Sequence, residues 1–157
     1  MDRLKNKVAI VTGAGTREVE DSELMGTGSA TAILFAREGA RVILADIDKK
    51  NAERTQATIH KEGGEAEIVI ADVSKPEKCR IIIEAAVKHF GKLDILFSNV
   101  GTSGPGKVTE GNAWDIAWTA VFLASDESRW ISGVVIPVDA GLFAATPLAV
   151  LDNLNEE

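Results

Sequence analysis

The sequence predicts an α/β fold: a doubly wound parallel sheet of about five strands, ordered 3-2-1-4-5, with helices on both faces. Three observations carry that expectation. Short apolar runs recur at 8–11, 41–45, 68–71, 93–97 and 134–138, the first of them continuous. Stretches of helical period fill the first three gaps, at 29–37, 49–62 and 78–90. Strands apolar at every position are buried on both faces, and their alternation with helices makes right-handed βαβ units.

The elements follow in order. The run Val8, Ala9, Ile10, Val11 is the first strand, and the helix over 29–37 stops at Gly39. A second strand precedes a polar-faced helix closed by Gly63 and Gly64. After the third strand, Cys79, Ile82, Ile83, Ala86, Val87 and Phe90 recur at i, i+3, i+4 and i+7, which reads as one buried helical stripe. The fourth strand ends at Phe97. Two glycines and a proline then break the pattern over 102–107. A helix is expected over 115–125, with Asp115 as N-cap and Ile116, Thr119, Ala120 and Leu123 on its packed face. The fifth strand ends at Asp139, Ala140 and Gly141. Leu148, Leu151 and Leu154 in the tail suit either a short docked helix or a frayed end. Residues 1–157 thus form one domain: an N-terminal half at 1–101, a junction at 102–114, a final helix and strand at 115–142, and a tail at 143–157.

Composition narrows the function. The chain has 157 residues, 17 Lys+Arg against 24 Asp+Glu, and a net charge of -7. That balance offers no positive field for phosphate backbones and argues against nucleic acid. No apolar run approaches the 18 or so residues a bilayer helix needs, so no membrane is expected. The start has no apolar core of a secretory signal, which makes the cytoplasm the expected compartment. The single cysteine, Cys79, excludes an internal disulfide framework and a cysteine-rich zinc site; it reads as an inert core thiol, and no metal is expected. His60 and His89 fall late in helices and read as solvated. The sequence contains no tyrosine.

The chemistry-bearing residues gather at strand ends. Thr12, Gly13, Ala14, Gly15 and Thr16 follow the first strand, and after residues 17–25 come Gly26, Thr27 and Gly28. Glycines at a strand-to-helix turn let backbone amides approach a pyrophosphate, although alone they equally suit a plain loop. Asp46 ends the second strand, with Ile47 next to it, where a carboxylate accepts both hydroxyls of an adenosine ribose. Asp72 and Val73 follow the third strand; Asn99, Val100 and Gly101 follow the fourth. All lie at carboxyl ends of parallel strands, the edge where such sheets bind ligands.

On these residues the chain resembles the short-chain dehydrogenase/reductase family of Rossmann-like oxidoreductases. Thr12, Gly13, Gly26 and Gly28 match its Thr-Gly-x-x-x-Gly-x-Gly loop once 17–25 is treated as an insertion. Asp46 matches its NAD-selecting acid, Asp72 and Val73 the pair bordering the adenine, and residues 98–101 its Asn-Asn-Ala-Gly segment. Residues 122–126, 131–133 and 138–141 match its last helix and strand. The resemblance implies NAD as cofactor. It also implies a homo-oligomer, dimer or tetramer, paired through the final helix and strand.

The family's Ser and Tyr-x-x-x-Lys have no counterpart, because the chain passes from the residues after strand four almost directly into the final helix. The implied protein binds NAD(H) but is impaired or inactive as a dehydrogenase, with Asn99 the single family-matched candidate for any remaining chemistry. Two alternatives stay open: an active oxidoreductase on an alcohol or carbonyl with a rebuilt or subunit-shared site, and a non-enzymatic oligomeric scaffold. Loss of the intervening helices leaves one sheet face less completely covered.

Three further signals read as structural. The acidic insertion 17–25 loops outward, the alternative being a lid. Residues 101–108 approach a phosphate-binding Walker loop, but Val108 stands where Ser or Thr would hold Mg²⁺. Trp114, Trp118 and Trp130 suit burial or an interface rather than ligand stacking.

Overall fold

A computed structural model describes residues 2–16, 25–100 and 112–138. The elements are β1 (Val8–Thr12), α1 (Thr27–Arg37), β2 (Arg41–Asp46), α2 (Lys49–Lys61), β3 (Ala66–Ile70), α3 (Pro76–Phe90), β4 (Ile95–Phe97) and α4 (Ala113–Ala124), followed by a 3-10 turn at Asp126–Ser128. The four strands are parallel in the order β3-β2-β1-β4. This is the Rossmann-like α/β architecture. Register is continuous: Ile10 faces Ile43 on one side and Leu96 on the other, and Leu44 faces Ile68.

Alternation along β1 divides the core. Ala9 and Val11 pack with Ile33 and Phe35 of α1, Ile59 of α2, and Ala117 and Val121 of α4. Val8 and Ile10 turn to the opposite face, where Ile82 and Ala86 of α3 cover them. All five β1 residues are buried. Asp94 pins the start of β4 to β1, its Oδ2 accepting from the Val8 amide at 2.8 Å and the Lys92 ammonium at 2.9 Å. Burial acts to raise its pKa, and those two donors outweigh that and hold it below the ordinary value.

Among the described residues the expected fifth strand does not form. Residues 134–138 pair with nothing in the described sheet, and Val134 and Val135 are 58% and 93% exposed. The reason is the edge on offer. β4 contributes three ladder residues, and Pro137 has no N–H to donate, so the bonds gained are too few to offset ordering the segment. The tail, the acidic insertion at 17–24 and the Walker-like loop at 101–108 lie outside the described residues.

The α3 stripe is half covered. Ile82 and Ala86 are buried, whereas Ile83 and Val87 stay about half exposed on the flank away from β1. Leu96 of β4, on that same sheet face, is 63% exposed. This matches the incomplete cover expected for one face.

The final helix differs from its expected start and face. Asn112, not Asp115, is the N-cap of α4. The Asn112 side chain accepts from the Trp114 amide at 2.8 Å, while Asp115 at the third position reaches back to the Asn112 amide at 2.7 Å. Such a capping box contributes about 1 kcal/mol. The buried face is Ala117, Ala120 and Val121, and Leu123 points outward. Small residues let α4 approach α1 closely, which outweighs the pull of the larger aliphatics.

Ion pairs tie the periphery together. Arg3 grips Glu127 through two bonds of 2.6 and 2.7 Å, and Lys7 reaches Asp126 at 3.3 Å. Arg37 binds Glu62 through bonds of 2.8 and 2.7 Å, and its guanidinium lies 5.0 Å over the Trp114 ring. Trp118 and Trp130 remain exposed.

The Arg37 hydrogen bonds hold the Glu62 carboxyl below its ordinary value, against a weaker opposing effect of burial. A carboxylate with a lowered folded-state pKa adds stability above its unfolded value and loses it as pH falls through the folded one. The thermal midpoint is therefore expected to drop as pH falls below about 4.5. Glu62→Gln should lower the neutral-pH midpoint slightly and flatten that drop. The pair is partly exposed, so the effect stays below about 1 kcal/mol. Melting curves at several pH values check it.

Candidate dinucleotide site

The turn after β1 is built by backbone contacts with its neighbours. The Gly13 amide donates to the Ala45 carbonyl of β2 at 2.9 Å. Its φ of +62° is a left-handed conformation that suits glycine. Thr12 braces β1 to β4, its hydroxyl accepting from the Asn99 amide at 2.9 Å. The Asn99 carboxamide Nδ2 lies 3.5 Å from the Thr12 carbonyl. These contacts bring Thr12, Gly13 and Asn99 together on one rim.

The start of α1 rests on this turn. Gly26 is the N-cap with no side-chain bond to the helix amides. A Cβ on Gly28 would stand 2.1 Å from the Gly13 carbonyl oxygen and 2.7 Å from Asn99 Nδ2. The helix meets the turn at this separation only without a side chain. The amides of the turn are taken by Ala45, Asp46 and Asn51, and the first amides of α1 carry no side-chain cap, the chemistry that suits a pyrophosphate.

Asp46 completes the rim at the end of β2. Its Oδ2 accepts from the Gly15 amide at 2.8 Å and its Oδ1 from the Asp48 amide at 2.9 Å. A carboxylate has about four acceptor positions, so each oxygen keeps one for another donor. Asp48 is the N-cap of α2, accepting from the Asn51 amide at 3.1 Å. Ile47 is 73% exposed beside them. Lys49 and Lys50 face solvent.

Asp72 and Val73 follow β3 on the same rim. Hydrogen bonds from the Ser74 hydroxyl at 2.7 Å and the Ser74 amide at 3.0 Å hold Asp72 below its ordinary pKa, so it stays ionised. Val100 is exposed next to Asn99. Gly101 lies outside the described residues. Cys79 is half-buried rather than in the core, its thiol 3.3 Å from the Val73 carbonyl. A position at the rim end of α3, with that carbonyl within reach, explains the difference. His60 and His89 are exposed and away from the rim.

One set of contacts escaped the sequence reading. Asn51, Arg54 and Thr55 of α2 hold the backbone of residues 14–16. Thr55 donates to the Ala14 carbonyl at 2.8 Å, and the Thr16 amide donates to the Asn51 carbonyl at 3.1 Å. Arg54 donates to the Thr16 carbonyl at 3.3 Å. The Thr16 hydroxyl also bonds those of Ser29 and Thr55. The spacing i, i+3, i+4 was visible in the sequence, but a polar helix face there reads as solvated.

A family pattern described as short chain dehydrogenase matches residues 7–125. The chain belongs to this family. It is 42% identical over 106 residues to the uncharacterized oxidoreductase YxbG of Bacillus subtilis, an alignment covering 68% of this chain and 36% of that protein. The crystal structure of a putative short-chain dehydrogenase/reductase from Burkholderia xenovorans superposes with a TM-score of 0.80 at 21% identity, covering 92% of this chain and 99% of that one. A putative D-mannonate oxidoreductase from Haemophilus influenza, solved with bound NAD, superposes with a TM-score of 0.56 at 27% identity over 66% of this chain and 34% of that one.

The short-chain dehydrogenases are oxidoreductases that use nicotinamide dinucleotides. This member aligns with 33% to 51% of the length of eight curated relatives it matches. Among its described residues, no helix is long and apolar enough to cross a membrane.

Proposed function

We propose that this short-chain dehydrogenase binds NAD(H) on the rim formed by Thr12, Gly13, Gly15, Thr16, Gly26, Thr27, Gly28, Asp46, Ile47, Asp72, Val73, Asn99, Val100 and Gly101, and is impaired in hydride transfer. The observation that carries the cofactor reading is Asp46. Two amides aim its carboxylate and leave one acceptor position per oxygen, which is what two vicinal ribose hydroxyls require. A 2′-phosphate at that point would meet a like charge, so NAD is favoured over NADP. The cradle between Gly13 and Gly28 suits the pyrophosphate, and the exposed Ile47 and Val100 offer apolar cover for the rings.

When bound, the nicotinamide supplies a hydride acceptor or donor. The chain's own part is to bind and orient; what it lacks is a proton donor. Reduction of a carbonyl needs an acid within hydrogen-bond reach of the oxygen, worth about 10²–10⁴ in rate. Relatives place a tyrosine there, and this sequence has none. Fifteen residues separate Phe97 of β4 from Ala113 of α4, which leaves no room for the strand and helix that carry the family's Ser and Tyr-x-x-x-Lys. Asn99 does not supply an acid, since a carboxamide does not titrate in this range.

Self-association is part of the proposal. The final helix and the segment after it present Trp118, Leu123, Val134 and Val135 to solvent, apolar side chains that a second copy would bury. Light scattering should then report a dimer or tetramer.

Two measurements test the function. NADH fluorescence titration should saturate, with NADPH binding more weakly; no saturation by either refutes the cofactor reading. NADH formation with a panel of alcohols should remain near the uncatalysed rate. Turnover comparable to ordinary family members would replace impairment by a rebuilt or shared site.

A further inference from the structure

The glycine turn of this chain has an unusual problem. Residues 14–16 are set apart from α1 in the sequence by residues 17–25. Yet the Gly15 amide must stand at a defined point to meet Asp46.

α2 supplies a constraint. Its first two turns hold the three residues from two side chains and one carbonyl. Thr55 takes the Ala14 carbonyl at 2.8 Å, and the Asn51 carbonyl takes the Thr16 amide at 3.1 Å. Arg54 Nη1 donates to the Thr16 carbonyl at 3.3 Å and to Asn51 Oδ1 at 2.9 Å, linking loop and helix through one guanidinium nitrogen. Gly15 lies flush against the helix, where a Cβ would stand 2.6 Å from Asn51 Cβ.

We propose that Arg54 is a positioning residue for cofactor binding: with Asn51 and Thr55 it fixes the backbone of residues 14–16 against α2, so that the Gly15 amide orients Asp46 for the ribose. This rests on the NAD(H) reading above and extends it to a residue outside the rim. Arg54 acts through the loop, by its bond to the Thr16 carbonyl. A guanidinium bond to two oxygens is charge-assisted and stronger than a neutral pair.

The test uses the full chain with Arg54→Ala and Arg54→Lys, read in two independent ways. Amide hydrogen exchange without cofactor should speed up at Gly15 and Thr16 in the alanine variant and not in the strands, and the lysine variant should restore protection. Lysine keeps a cation able to bridge the same two oxygens. NADH titration should show about tenfold weaker binding for Arg54→Ala and near-normal binding for Arg54→Lys. Unchanged exchange at Gly15 and Thr16 overturns the proposal, as does equal NADH affinity in a wild-type protein that binds. If the wild type binds no dinucleotide, the cofactor reading fails, and the exchange comparison still decides whether Arg54 positions the loop.

Discussion

Gly28→Ala is expected to abolish measurable NADH binding and to lower stability by about 3 kcal/mol, at the upper end of overpacking penalties. The added methyl would sit 2.1 Å from the Gly13 carbonyl oxygen, far inside contact distance. Relief must come from backbone, because the obstacle is a main-chain oxygen and not the tip of a side chain. Gly13 is held by its bond to Ala45, and Asn99 by its bond to Thr12. Moving α1 outward instead would strip Ile33 and Phe35 from the sheet, where both are nearly fully buried. Either way the amides at the helix start leave the turn. Urea unfolding and NADH titration measure the two effects. A variant with normal unfolding midpoint and normal binding would contradict this account of the cradle.

The second large effect is expected from Asp46→Ala. NADH affinity should fall about 10- to 100-fold, the range for losing hydrogen bonds to a charged acceptor. NADPH affinity should fall less or rise, because the like charge facing a 2′-phosphate is gone. The amides of Gly15 and Asp48 also lose their acceptor, so the turn loosens from β2. Paired fluorescence titrations with NADH and NADPH separate the two consequences. Equal losses for both cofactors would assign Asp46 to loop support alone.

Much of the fold was legible because burial on both faces leaves strong marks. β1 and β2 carry apolar cores, and the runs 8–11 and 41–45 end within one residue of the observed strands. β3 was read at 68–71 but spans Ala66–Ile70, since Ala66 and Glu67 carry little hydrophobic signal and join the ladder through Val42 and Ile43. The apolar run at 134–138 misled for the opposite reason: strand composition was present, but no adequate edge was available. In α4 the pattern of large side chains pointed to Leu123, whereas the close approach to α1 selected alanines. Local composition records what a segment prefers; the neighbour decides which preference is used.

The rim was legible for a related reason. Thr12, Gly13, Asp46 and Asn99 sit at strand ends that the apolar runs themselves locate, so their proximity follows once the strand order is known. The grip of α2 on residues 14–16 did not follow. Nothing local distinguishes Asn51, Arg54 and Thr55 from a solvated helix face; their partners are over thirty residues away in the chain, and three-dimensional packing alone brings them together.

The seating of α4 has a broader implication. Its alanines pack in the same cluster as α1, and the turn that follows it is fastened to Arg3 and Lys7, so these described anchors come from the first thirty-seven residues. Residues far upstream in the chain thus seat a helix that follows the fourth strand. The chain's opening turn and its last described helix are thereby clasped to each other, and severing Arg3 or Lys7 from that clasp would loosen both at once.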